Sequence, residues 1–242
     1  MINITKSAKN HFNYQNWAAY FKYNNKQKLS IGFSQEMGLS EKEKALISPS
    51  IRAFQKGEGS DGRHLLKTAK NWAAKNGHTG YEEAIGWFVK EENLHSGYLK
   101  QFMDFYHVEG AKNPFLDRTF RRLRQLAGLK CEVTVLVTAE MVALTYYDAL
   151  SKCTASPALK SICRQMLHDE LPHIIFQSYT LGQFPACRLS RLCRILLMEI
   201  TALSVWAAFH QVYEAGGYGF LRFFKENLGY LKQSMYIEQK CR

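Results

Sequence analysis

Residues 156–182 read SPALKSICRQMLHDELPHIIFQSYTLG, and the rest of the chain is organised around what this stretch implies. Ser156 followed by Pro157 is a helix start. The hydroxyl can accept a first-turn N–H, and proline gives up only a donor that has no intrahelical partner there. Gly182 is a natural stop, and no residue between the two alternates as a strand would. Inside the helix lie Glu170 and His173. Residues three apart project from one helical face, so a carboxylate and an imidazole address a single point. Pro172 falls inside the same motif and removes a mid-helix hydrogen bond, which predicts a bend.

The pattern occurs twice. Glu92-Asn93-Leu94-His95 repeats the spacing inside YEEAIGWFVKEENLHSGYLKQF. Sixteen glutamates and eight histidines in 242 residues give about 0.5 such matches by chance. One match is therefore uninformative, and two on separate long helices carry weight. Glu140 lies in VLVTAEMVALTYY, where an uncompensated carboxylate costs several kcal/mol. Glu58 lies in FQKGEGSDGRHLL. The interval from Glu58 to Glu92 is 34 residues and that from Glu140 to Glu170 is 30. Each is about one helix, a turn and the return leg of a hairpin. Two such hairpins set four carboxylates and two imidazoles at a common depth, enough to neutralise and hold two divalent ions. The competing reading leaves Glu92 and Glu170 in solvent and His95 and His173 as satisfied core histidines.

Helix signals cover nearly the whole chain. A first segment is expected over about 9–26. Ser40 with Glu43 predicts a short helix ending before Pro49, and Ser48-Pro49 predicts a second start running to about residue 75. Thr79 with Glu82 opens a helix from about 80 to 108. Asn113-Pro114 opens the next, which Gly128 interrupts before a helix from 130 to 152. The stretch 157–182 follows, then 188–215, then a last helix to about 232. The sequence predicts one all-α domain over 1–242, with a four-helix core at about 48–182 and extra helices at about 9–47 and 188–232.

At the six residues Glu58, Glu92, His95, Glu140, Glu170 and His173 the chain resembles the ferritin-like di-iron carboxylate superfamily. The resemblance spans about 48–182 and implies a ferritin-like four-helix bundle. It also implies that Glu58, Glu92 and His95 serve one metal and Glu140, Glu170 and His173 the other, with Glu92 and Glu170 bridging. The implied cofactor is two iron ions, with manganese or a mixed iron–manganese pair compatible. The expected function is an oxidoreductase that uses dioxygen or peroxide on a small organic molecule with an external electron donor. Ferroxidase and iron handling form the alternative, as does a hydroxylase acting on RNA or at a membrane surface. Tyr147, two turns after Glu140, is the candidate catalytic tyrosine and otherwise a core aromatic. Glu91 is the alternative ligand to Glu92. Asp169, four residues before His173, is a candidate to orient its imidazole or a solvated acid. Glycines 57, 59 and 62 are expected to leave room for substrate or dioxygen beside Glu58.

Composition sets outer bounds. Hydrophobic residues form 46% and charged residues 22%, which excludes wholesale disorder. Six cysteines without Cys-x-x-Cys spacing read as reduced thiols of a cytoplasmic protein. The N-terminus lacks the apolar stretch of a secretory signal, and the run 195–209 appears too short to span a membrane. A net charge of +11 is compatible with nucleic acid or an anionic membrane as partner. Arg118, Arg121, Arg122 and Arg124 make the densest basic stretch, and Arg188, Arg191 and Arg194 precede the last apolar run. A solvated face that keeps the protein soluble is the preferred reading of that charge, and a homodimer is a separate expectation.

Overall fold

Every regular element among the described residues is helical, as the capping and periodicity signals require. The computed structural model describes residues 1–59, 62–110 and 128–241. The Asn113-Pro114 helix start and the basic run Arg118–Arg124 lie outside the described residues. The helices are α1 (Tyr14–Asn24), α2 (Glu41–Glu58), α3 (Arg63–Asn76), α4 (Tyr81–Phe105), α5 (Gly128–Cys153), α6 (Pro157–Gly182), α7 (Arg188–Ala215) and α8 (Phe220–Lys240).

The bounds of α6 and α7 fall where the caps and glycines put them, whereas three other expectations differ for identifiable reasons. Pro49 does not separate two helices, because α2 runs through it. Ser48 and Ser50, instead of capping, donate their hydroxyls to the carbonyls of Lys44 and Ile47 within that helix. The expected single helix over 48–75 is divided: α2 ends at Glu58 and α3 starts at Arg63 after Gly62, whose φ is +62°. Thr79 does not cap α4. Gly80 does, in a left-handed conformation, while the Thr79 hydroxyl accepts from Gln15 at 2.8 Å. A Cβ at Gly80 would lie 3.1 Å from the Gln15 backbone, so glycine meets both demands.

The chain divides into two compact units. One comprises His11–Ser30 and Ile51–Glu132. In it α4 packs against α1 and α3. Trp17 stacks on Phe21, with ring centroids 5.5 Å apart, and Phe21 meets Phe88 edge-on. Asn25 donates to the Trp87 carbonyl, and the Tyr98 hydroxyl donor group accepts the Leu29 N–H at 3.0 Å. These bonds seat α1 along the length of α4.

The other unit comprises Met1–Asn10, Ile31–Ser50 and Val133–Arg242, and in it α8 packs against α6 and α7. The N-terminal arm fixes the start of α6. Glu36 accepts from Ser156 Oγ at 2.8 Å and from the Ala158 N–H at 2.7 Å, and Glu43 accepts from Thr154 Oγ1 and the Ala155 N–H. Carboxylates at a helix N-terminus satisfy open donors and suit its dipole. Arg194 of α7 is buried. It donates to Glu238 and, at 2.7 Å, to Ser234 of α8.

By length and composition both α5 and α7 are apolar enough to cross a membrane, with mean hydropathy of 1.3 and 1.7 in their most apolar windows. This corrects the expectation drawn from the run 195–209, whose bounds are narrower than those of the 28-residue helix. Their surroundings differ: 78% of the α5 window is buried but only 28% of that in α7. α5 is thus a core helix, and α7 is not.

Two glycines differ in the space around them. A Cβ at Gly216 would lie 2.6 Å from Ala149 Cα, backbone that cannot give way. Gly216→Ala should therefore destabilise by about 1–3 kcal/mol. Gly86→Ala, in open space within α4, should stabilise by about 0.5–1 kcal/mol. Urea midpoints test both. Lys152 and the Tyr218 hydroxyl donate to Asp148, the latter at 2.6 Å. Burial alone would raise this carboxyl, but the two donors and the charges of Lys152 and Arg222 outweigh it and hold its pKa below the ordinary 3.8. A carboxyl depressed in the folded state contributes stability above its unfolded pKa and loses it as pH falls through the folded value. The stability difference between the wild type and Asp148→Asn should be present at neutral pH and close below about pH 4.

Candidate metal centre

The α4 part of the site follows from helical spacing. Glu92 and His95 lie one turn apart, with His95 Nδ1 3.8 Å from Glu92 Oε1. His95 is fully buried and Glu92 half-buried. Glu58, the last residue of α2, brings Oε2 to 4.0 Å from the same Nδ1. Its approach depends on close packing. A Cβ on Gly59 would meet Ser96 Oγ at 2.8 Å, and one on Gly62 would meet Val89 Cγ1 at 2.6 Å. At Gly59 and Gly62 side chains of α4 therefore already fill the space that the sequence suggested for a substrate, whereas nothing lies within 4 Å of a Cβ at Gly57.

The α6 part repeats the spacing in a drier setting. His173 Nδ1 is 3.4 Å from Glu170 Oε2, and both residues are at most 1% exposed. α6 is one continuous helix through Pro172. Glu140 of α5 is buried and accepts a hydrogen bond from the Gln177 side chain. Gln177 lies four residues after His173, on the same helical face, and the sequence reading passed over it. Its spacing was the available signal, although a glutamine at i+4 is common enough to be uninformative alone.

The two motifs form one group. Glu92, His95, Glu170 and His173 each offer a ligand atom, and these four atoms lie within 4.8 Å of one another. Glu58 and Glu140 are not members of that group. Two carboxylates with two imidazoles, largely buried, make a donor set that could hold a metal ion, and this mixture suits first-row transition metals better than calcium or magnesium.

The neighbouring acids have other partners. Glu91, considered as a substitute for Glu92, accepts from the Asn24 side chain of α1. Glu132 is fully buried, with Oε1 3.0 Å from His64 Nδ1 and Oε2 accepting from Thr68 at 2.7 Å. His64 is thus the partner of a buried acid and not an isolated histidine. Asp169 is buried rather than solvated and meets His168 Nδ1 at 2.8 Å and Gln165 Nε2 at 2.8 Å. Glu199 is half-buried on α7, where the buried arginine is Arg194 and its partner Glu238. Tyr147 is fully buried, its ring 5.1 Å from that of Tyr146. Burial also pushes the Tyr146 phenol well above its ordinary range, against the hydrogen bond it donates to Ser50.

Gln177 donates to the buried Glu140 carboxylate, which makes it a sensitive position. Gln177→Leu should cost the metal-free protein about 1–3 kcal/mol, because the buried carboxylate loses that hydrogen bond. Denaturation in the presence of a chelator measures it.

Comparison of this chain with protein-family models, with curated proteins and with solved structures found no match.

Proposed function

We propose that this chain is a ferritin-like di-iron carboxylate protein that oxidises a small organic substrate with dioxygen or peroxide, an iron–manganese pair being an equally compatible metal content. The observation that carries the reading is the doubled Glu-x-x-His motif with its four ligand atoms within 4.8 Å. Glu92, His95, Glu170 and His173 hold the metal, and Glu58 and Glu140 extend the set towards a second ion. Four carboxylates balance the charge of two divalent cations, which accounts for so many acids in apolar helices. When bound, the ions supply the redox electrons and Lewis acidity that protein side chains lack.

The chain's own residues do the rest. Burial of His95, Glu170 and His173 keeps bulk water from the ligand atoms and strengthens every charge interaction there. Gln177 orients Glu140 through its amide N–H. Tyr147, two turns after Glu140 on the same helix, is the side chain we assign to hydrogen donation. An external donor supplies the electrons, since the sequence has no Cys-x-x-Cys iron site of its own.

Anaerobic loading with ferrous iron, desalting and metal analysis test the site. The wild type should retain two irons per chain, and Glu92→Ala or His173→Ala should retain fewer than one. Retention unchanged by both substitutions would refute the site. Iron oxidation with no product from any organic substrate would instead favour iron handling.

A further inference from the structure

The α7 helix carries a second apolar face that the fold does not use. Leu189, Leu192, Leu196, Ile200 and Leu203 are 66%, 52%, 48%, 62% and 50% exposed. Their spacing places them on one stripe, which exposed Ala207 prolongs. The other side of the helix, with Arg194, Met198, Ala202 and Val205, is buried. From Leu189 to Ala207 the stripe is about 27 Å long. Its five large side chains expose on the order of 500 Å², near the upper end of what monomers leave uncovered.

We propose that this face binds a second copy of the same chain, the two α7 helices packing antiparallel about a two-fold axis. Two such stripes bury about 1,000 Å² before any rim contact, which reaches the range of specific interfaces. An isologous contact needs one self-complementary patch, and a straight uncharged stripe is one. Steps of three, four and four residues make an eleven-residue repeat, close to the natural helical period, so two straight helices stay in register along it.

Antiparallel packing opposes the two helix dipoles, whereas parallel packing aligns them. Half-buried Glu199 at the stripe's edge disfavours an anionic lipid surface as the occupant. The inference does not depend on the metal reading.

Sedimentation of the full chain over a wide concentration series tests it. The 27.9 kDa species should give way to one of twice that mass as concentration rises. Leu196→Glu/Ile200→Glu should weaken dimerisation by about tenfold or more while leaving helical circular dichroism unchanged. Should that variant fail to fold, Leu203→Gln provides the same test at one position. A chain that remains monomeric throughout overturns the proposal, as does a dimer indifferent to the stripe substitutions. Flotation of monomeric chain with phosphatidylserine vesicles, abolished by Leu196→Glu/Ile200→Glu, overturns it in favour of a membrane.

Discussion

Burying a carboxylate is the constraint to which most of this molecule answers. An ionised acid removed from water costs several kcal/mol unless donors or cations replace its hydration. Glu91, Glu132, Glu140, Asp169 and Glu170 are all at most 5% exposed. Asn24 serves Glu91, His64 and Thr68 serve Glu132, Gln177 serves Glu140, and Gln165 with His168 serves Asp169. Apart from His168, the chain neighbour of Asp169, these partners lie on other helices or one turn away, so each such bond also fixes a helix position. The Glu/His group is different in kind. There the groups facing the carboxylates are imidazole Nδ1 atoms, and an imidazole can offer a proton or a lone pair. Only the second choice permits a metal, which is why the donor set rather than burial alone supports one.

Most of the helical layout was legible because it depends on local chemistry. Ser156 caps α6 through the Leu159 N–H, and the bond needs nothing beyond three residues of sequence. The errors fall where a distant partner decides. Thr79 and Glu82 look like a capping box, yet close approach to the α1 backbone demands a glycine at 80 and gives the threonine to Gln15. Pro49 looks like a start, but neighbouring serine hydroxyls bond to carbonyls within α2 and the helix continues. The grouping of Glu92 with His95 and of Glu170 with His173 was legible from spacing. Gln177 was not, because its meaning rests on a carboxylate 37 residues away on another helix.

The same distinction separates α5 from α7. Composition makes them alike, and a hydropathy window passes both. What differs is periodicity. Apolar residues of α5 occupy every face because the helix is enclosed, whereas those of α7 form one stripe towards α8 and another towards the outside. A sequence window averages over faces, so it registers the quantity of apolar surface and loses its direction.

Direction also explains why the two lone glutamates are not equivalent. Glu140 sits mid-helix, with its carboxylate engaged by Gln177 from α6, so its place is set by two rigid elements at once. Glu58 ends its helix, and its backbone leads straight into Gly59. What restrains it is the fit of Gly59 and Gly62 against Ser96 and Val89, contacts that any added side chain would displace. The carboxylate on α2 is therefore positioned by the absence of atoms, and the one on α5 by a hydrogen bond. A substitution at either glycine would shift Glu58 without replacing any residue of the Glu/His group.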